Sequence, residues 1–413
     1  MLNIRHVNLI FVVFITIILS SFSVFAAANP NAYVGNFKDN TVSAIDIAKG
    51  EVVATIPVEA GPHGMILSTD GRWLYVSSDG SSSVNVIDTN TNKVSSLINV
   101  GKSPQGLSLS PDGKYLLVCV NGDDKIVYVD TKKKKIVASV KVGKPHTISV
   151  SPKGKVAYVT SQVVGKFNLS VIDLKAHKVL RNIPLEKTPR DLEFSYDGKI
   201  VLFTQAGSNA VEVLDALNDK IVAKIPTGAS PHYVNIFKSA MMGMVVVQGP
   251  GEILLFDQAT YKPGLQIKVG IQPHWMAVSS DGKTAFVTNE GSNDLSVIDI
   301  NSGKVTNTIP VGNQPRKVVV QPVTPISSDA NVSIIDFAFV PAMIRIYPGQ
   351  GVVWNNNDGS SHAVAFKDGS KGSETIFPGK SYSRKFEKPG SYEYYCSIHN
   401  YMTGKVEVMR KGL

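Results

Sequence analysis

"SDGKTAFVTNEGSNDLSVID", residues 280–299, holds a Gly-bearing turn, a short strand-like run, a polar turn and a second run that ends in Asp299. Runs of this length, rich in β-branched and aromatic residues and bounded by Gly, Asn and Asp, read as strands of a hairpin. The unit recurs upstream. Apolar runs end in aspartate at Asp46, Asp88, Asp130, Asp173, Asp215, Asp257 and Asp299, always 42 or 43 residues apart. A second register agrees with the first, because Pro62, Pro104, Pro145, Pro189, Pro231, Pro273 and Pro315 each open a new apolar run. Each unit has room for four short strands and shows no helical periodicity. A four-stranded repeat of this length, present seven times, predicts an all-β chain whose residues 29–321 form a seven-bladed β-propeller.

Such a ring must close. The first repeat begins partway through a unit (Tyr33, Val42–Asp46, Val52–Ile56), and the last leaves one leading strand, "RKVVVQ" at 316–321. That strand is predicted to complete the blade begun by the N-terminal three, which removes an exposed edge. The segments "AYVTS" (157–161) and "AFVTN" (285–289), with the G-x-x-P-[HQR] turn, resemble the YVTN-type seven-bladed propellers over roughly 30–320. That resemblance implies a fold and leaves function open. "SAMMGMVVVQGPGEILLFD" (239–257) departs most from the repeat, so its turns are expected to differ.

The termini carry other signals. Arg5 and His6 precede the apolar run "VNLIFVVFITIILSSFSVFA" and the small residues Ala26–Ala28, the pattern of an export signal over 1–28. An uncleaved anchor is the alternative reading, since the run nearly reaches spanning length. After cleavage no membrane span is expected, and the destination is the periplasm or the extracellular space. No cysteine follows the signal, which argues against a lipoprotein. The net charge of +9 is scattered, and no basic run interleaves with aromatics, so nucleic-acid binding is not expected. "TKKKKI" (131–136) and His177 in "LKAHKV" read as solvated turns between strands. Cys119, inside "YLLVCV", reads as a core thiol.

"PVTPISSDAN" breaks the period and reads as a linker over 322–331. Residues 332–413 then alternate short strands and turns, the pattern of a small Greek-key β-sandwich. In "YEYYC" the alternation sets Tyr392, Tyr394 and Cys396 on one face, which places Cys396 inward at a strand end. The loop that follows, "CSIHNYM" (396–402), spaces Cys396, His399 and Met402 three residues apart. Thiolate, imidazole and thioether are soft ligands that suit copper, and two histidines and a cysteine with a weak axial methionine make a blue-copper site. The missing imidazole is His362 in "SSHAV", the domain's other histidine. A packed core cysteine with an incidental His and Met is the alternative.

"YEYYCSIHNYMTGKVEV", "FAFVPAMIRIYPGQGVVWNNND" and "SSHAV" resemble the plastocyanin/amicyanin group of cupredoxins over about 331–413, and the short Cys-x-x-His-x-x-Met loop is closest to amicyanin. The resemblance implies that His362, Cys396, His399 and Met402 hold one type 1 copper. It also implies that His399 conducts electrons at a docking face that includes Asn400 and Tyr401. Ala363 is a departure, since the family often has Asn there, and weaker support of the cysteine loop is expected. A binuclear copper centre would need a second cysteine in the loop and is excluded.

The residue after each repeat proline is His63, Gln105, His146, Arg190, His232, His274 or Arg316, all expected at the mouth of the central channel. Four imidazoles suit a metal, whereas two arginines in the same ring favour a small anion. A third reading gives the ring no ligand, because His is common at this turn. No nucleophile elbow, phosphate loop or haem-attachment motif is present. The sequence therefore predicts an exported mononuclear blue-copper electron-transfer protein whose propeller docks a redox partner protein. The alternative is a copper-dependent oxidoreductase whose propeller ring binds a small anionic substrate or a second metal. Copper storage or delivery fits less well, because delivery calls for open, labile ligation.

Overall fold

The computed structural model describes residues 32–69, 71–236, 242–279, 282–321 and 329–409. The export signal expected over 1–28 lies outside the described residues, as do 322–328 of the expected linker. The strand Asp329–Ile335 takes up the remaining linker residues.

Seven four-stranded sheets form the propeller, and every pairing within them is antiparallel. In each sheet the two middle strands are almost wholly buried, as in Tyr115–Val120 and Lys125–Asp130. The outermost strand alternates exposed and part-buried residues, as in Lys93–Asn99. This gradient is what sheets buried against neighbours on both faces require, and it accounts for continuous apolar runs in the middle strands. The ring closes as the repeat register predicts: Pro315–Val320 pairs with Ala32–Asn36, with Val320 opposite Ala32 and Val318 opposite Val34. Cys119 is fully buried and unbridged, and burial pushes its thiol well above the ordinary range.

The repeat aspartates have a mechanical role. Each ends the third strand and turns the chain into the fourth. Asp130 Oδ1 accepts from the amides of Lys132 and Lys133, and Asp173 Oδ1 from those of Lys175 and Ala176. Asp257 Oδ1 accepts in the same way from Ala259 and Thr260. The turn then passes through one left-handed residue, which is Gly50 and Gly303 in two blades but Lys134, His177 and Tyr261 in others. His177 is exposed, and its ring lies 4.7 Å from Tyr128. Replacing Asp130 by Ala should lower stability in urea by about 1 kcal/mol, with little change in the slope of the transition. An unchanged midpoint would mean that the turn forms without its acceptor.

The C-terminal domain is a sandwich of two four-stranded sheets. One sheet has the order Ala338–Val340, Asp329–Ile335, Gln350–Asn356, Ser381–Phe386. The other runs Met343–Ile346, Thr403–Val408, Gly390–Cys396, Val364–Phe366. Between them lie Trp354, Tyr394, Phe366 and Phe386, and Cys396 and Met402 belong to the same buried cluster. Tyr394 and Cys396 face inward, as the alternation predicts. Arg345 Nη2 donates to Asn90 Oδ1 at 3.3 Å, a hydrogen bond between the two domains.

Candidate metal centre

Two strand ends and one loop build the centre. Gly390–Cys396 delivers the thiol at its last residue, and its partner Val364–Phe366 begins two residues after His362, with Val364 opposite Cys396. His362 is pinned by backbone pairing with Ile376 in both directions, at 3.0 and 2.7 Å. The loop 396–402 folds back on itself, because the Cys396 amide donates to the Met402 carbonyl and the Met402 amide to the His399 carbonyl, each at 3.0 Å.

His362 Nδ1 and His399 Nδ1 lie 3.3 Å apart, and Cys396 Sγ lies 3.7 and 3.8 Å from them. A triangle of these edges has its circumcentre about 2.1 Å from every corner, close to the bond length of a first-row metal ion with imidazole nitrogen. Among the described residues, no other group of three His, Cys, Asp or Glu brings its ligand atoms within 4.8 Å of one another. His362, Cys396 and Met402 are buried, and His399 is half-buried at the surface. Two imidazole nitrogens, one cysteine sulfur and a neighbouring buried thioether make a donor set that fits copper.

The thiol sulfur is held by backbone. The amides of Ala363 and His399 both point at Cys396 Sγ, each at 3.4 Å. Support of the cysteine loop therefore comes from the main chain at position 363, where the sequence departs from the family's Asn.

The residues supporting the ligands were less legible. Asp358 Oδ2 lies 3.2 Å from His362 Nε2 and accepts the Phe337 amide at 2.9 Å. Burial works against its charge, but the amides of Phe337 and Gly359 and the His362 ring hold its carboxyl below the usual range. Asp336 and Phe337 form a two-residue hairpin loop with φ of 49° and 56°, between Ile335 and Ala338. This turn lays the Phe337 ring edge-on to both imidazoles, 5.5 Å from His362 and 4.9 Å from His399. Phe337, Ile398 and Tyr401 are exposed apolar side chains beside His399. Sequence reasoning named Tyr401 and missed the other two. Phe337 sits where a hairpin loop favours Gly, and that is the one signal for it.

The channel ring is assembled from the second residue of each innermost strand. His63 and His146 approach edge to face at 5.3 Å, and the His232 and His274 rings lie tilted to each other at 4.1 Å. His146 Nδ1 donates to the Arg190 carbonyl and His274 Nδ1 to that of Arg316. Burial drives all four imidazoles below the ordinary range, His146 to about 4 and His232 to about 3. They are neutral at pH 7. Arg316 is paired with Glu290 at 3.3 Å, Arg190 donates to Ser230 and Gln248, and Gln105 donates to Asp79.

Comparison with known proteins follows the two halves. A profile of copper binding proteins of the plastocyanin/azurin family matches residues 326–409. A profile of the YNCE-like beta-propeller matches 23–111 and 195–325. Amicyanin-alpha of Methylorubrum extorquens is 36% identical over 88 residues, which cover 20% of this chain and 73% of that protein. Amicyanin of Paracoccus versutus is 36% identical over 83 residues, covering 19% and 62%. Chloroplastic plastocyanin of Pisum sativum is 37% identical over 86 residues, covering 17% and 51%. Solved structures that share the propeller fold include the following two. Hydrazine synthase of Kuenenia stuttgartiensis aligns with a TM-score of 0.56 at 22% identity, over 61% of this chain and 87% of that one. Dihydro-heme d1 dehydrogenase NirN aligns with a TM-score of 0.57 at 19% identity, over 73% and 78%.

Proposed function

The chain belongs to the YNCE-like β-propeller family and ends in a copper-binding domain of the plastocyanin/azurin family, and on that premise we propose that it is an exported single-electron carrier. In this reading His362, Cys396, His399 and Met402 hold one type 1 copper, and the propeller is the platform on which a redox partner protein docks. The convergence of two imidazole nitrogens and a thiol sulfur within 3.8 Å, one imidazole reaching the surface, carries the reading. When bound, copper in such a donor set supplies a one-electron couple. The chain's part is to bury the thiol, fix both ring orientations and present His399 beside an apolar patch. A surface patch of this kind suits a transient protein contact.

The channel ring does not strengthen the oxidoreductase reading, since its imidazoles meet in pairs and Arg316 is neutralised by Glu290. Metal analysis with electron paramagnetic resonance tests the proposal. The expected result is one copper per chain with a single type 1 spectrum, unchanged in a His232→Ala/His274→Ala variant. Two coppers per chain, the second lost in that variant, would favour the oxidoreductase instead.

A further inference from the structure

Deeper in the channel than the imidazole ring lies a cavity of about 490 Å³, a size typical of small-molecule sites. Its two sides differ. The strands Pro62–Leu67, Pro104–Leu109 and Pro145–Val150 contribute small and apolar groups, among them Met65 and Leu107. The four strands across from them contribute Asp191, Glu193, Tyr233, Trp275 and Lys317. Four of those five occupy one repeat position, directly after the ring residue, where the first three blades have Gly64, Gly106 and Thr147. The asymmetry is thus written into one column of the repeat.

The polar side is incompletely paired. Asp191 is 3% exposed and its Oδ2 has no hydrogen-bond partner among the described residues, although the Leu192 and Val234 amides lie against the carboxyl group. Among the described residues no cation stands within 4 Å of either carboxylate, and Lys317 Nζ instead sits 3.2 Å from the centre of the Trp275 ring. Tyr233 and Trp275 stack at 3.7 Å. Burial raises Asp191 well above its usual range and Glu193 to about 7, and lowers Lys317 to about 8. Burial thus penalises charge in this cavity by more than the field of Lys317 and the hydrogen bond of Ser149 to Glu193 offset. Those directions leave Asp191 protonated in the unliganded cavity. A bound cation would draw both carboxyls into their charged forms, and two carboxylates against one ammonium then leave one negative charge for it to match. Aromatic faces attract cations, and the Lys317 ammonium already lies on one. Glu193 and Lys317 are partly exposed, so the cavity is reached from solvent.

We propose that this cavity binds a small organic monocation, an alkylammonium whose head group lies between Asp191 and Glu193 and whose apolar body lies against Met65 and Leu107. The inference stands apart from the copper reading, since it uses no residue of that centre. Lys317 then acts as a competing internal cation.

Calorimetry on the full-length, copper-loaded protein tests this with n-butylammonium as the probe, and with n-butanol and butyrate as neutral and anionic counterparts of the same size. Butylammonium is expected to bind at one site per chain, at least tenfold more tightly than either counterpart. The isosteric Asp191→Asn/Glu193→Gln variant should lose at least tenfold in affinity while keeping its circular dichroism and its copper. Lys317→Met should bind more tightly than wild type, a gain that mere structural damage would not produce. Equal binding of butanol and butylammonium, undiminished binding by the acid variant, or weaker binding by Lys317→Met would each overturn the assignment. So would the absence of butylammonium binding up to about 1 mM.

Discussion

Cys396→Ser is expected to leave a folded, colourless protein that no longer holds copper as a blue centre, whereas the wild type loaded with Cu(II) is intensely blue. The colour of a type 1 site depends on a thiolate bound to the metal, and among the described residues Cys396 is the one thiol near an imidazole. Serine fits the same space. Its hydroxyl can accept the two amides of Ala363 and His399 that point at the sulfur, so the loop should keep its shape. What changes is chemistry: a soft anionic donor is replaced by a hard neutral one. Copper affinity should fall by at least the ~100-fold that loss of a supporting group alone can cause. Absorption spectra and copper titration of both proteins decide the matter. A blue serine variant, or a wild type that takes up Cu(II) without colour, would end the single-copper reading.

The readable parts of this sequence are those in which one physical demand repeats. Seven aspartates spaced 42 or 43 residues apart each cap the same turn, so their period stands out along the chain itself. The Cys-x-x-His-x-x-Met loop is readable for a related reason, because a single short segment carries most of the donor set. Contacts made by residues distant in sequence and unremarkable in type were not legible. Phe337 and Asp358 sit in separate loops and meet through one amide hydrogen bond. Asp191, Tyr233, Trp275 and Lys317 share a column of the repeat but no chemistry, so repeat comparison alone reads them as noise. The ring of histidines and arginines shows the converse. Its position in the channel follows from the repeat, but its electrostatics depend on Glu290, Asp79 and Gln248, which stand outside that column.

Asp358→Asn should raise the reduction potential of the copper centre and weaken Cu(II) more than Cu(I). The carboxylate sits 3.2 Å from His362 Nε2 while the opposite nitrogen, Nδ1, faces the cysteine sulfur. A carboxylate can only accept here, so Nε2 carries the proton and Nδ1 keeps a free lone pair for the metal. The negative charge also makes the ring a stronger donor, which favours the more highly charged oxidation state. Asparagine keeps the shape and one acceptor but removes the charge. Removal of such a partner typically costs 10–100-fold in metal affinity. Each tenfold by which Cu(II) is weakened more than Cu(I) raises the potential by about 59 mV. The same carboxylate holds the Phe337 amide, so Asp358→Leu should also free the hairpin loop that covers both imidazoles, and shift the potential further. Protein-film voltammetry of the three proteins reads the shift directly. A fall in potential, or a rise in Asp358→Asn below about 20 mV, roughly a twofold change in relative affinity, would mean that the charge of Asp358 does not reach the copper.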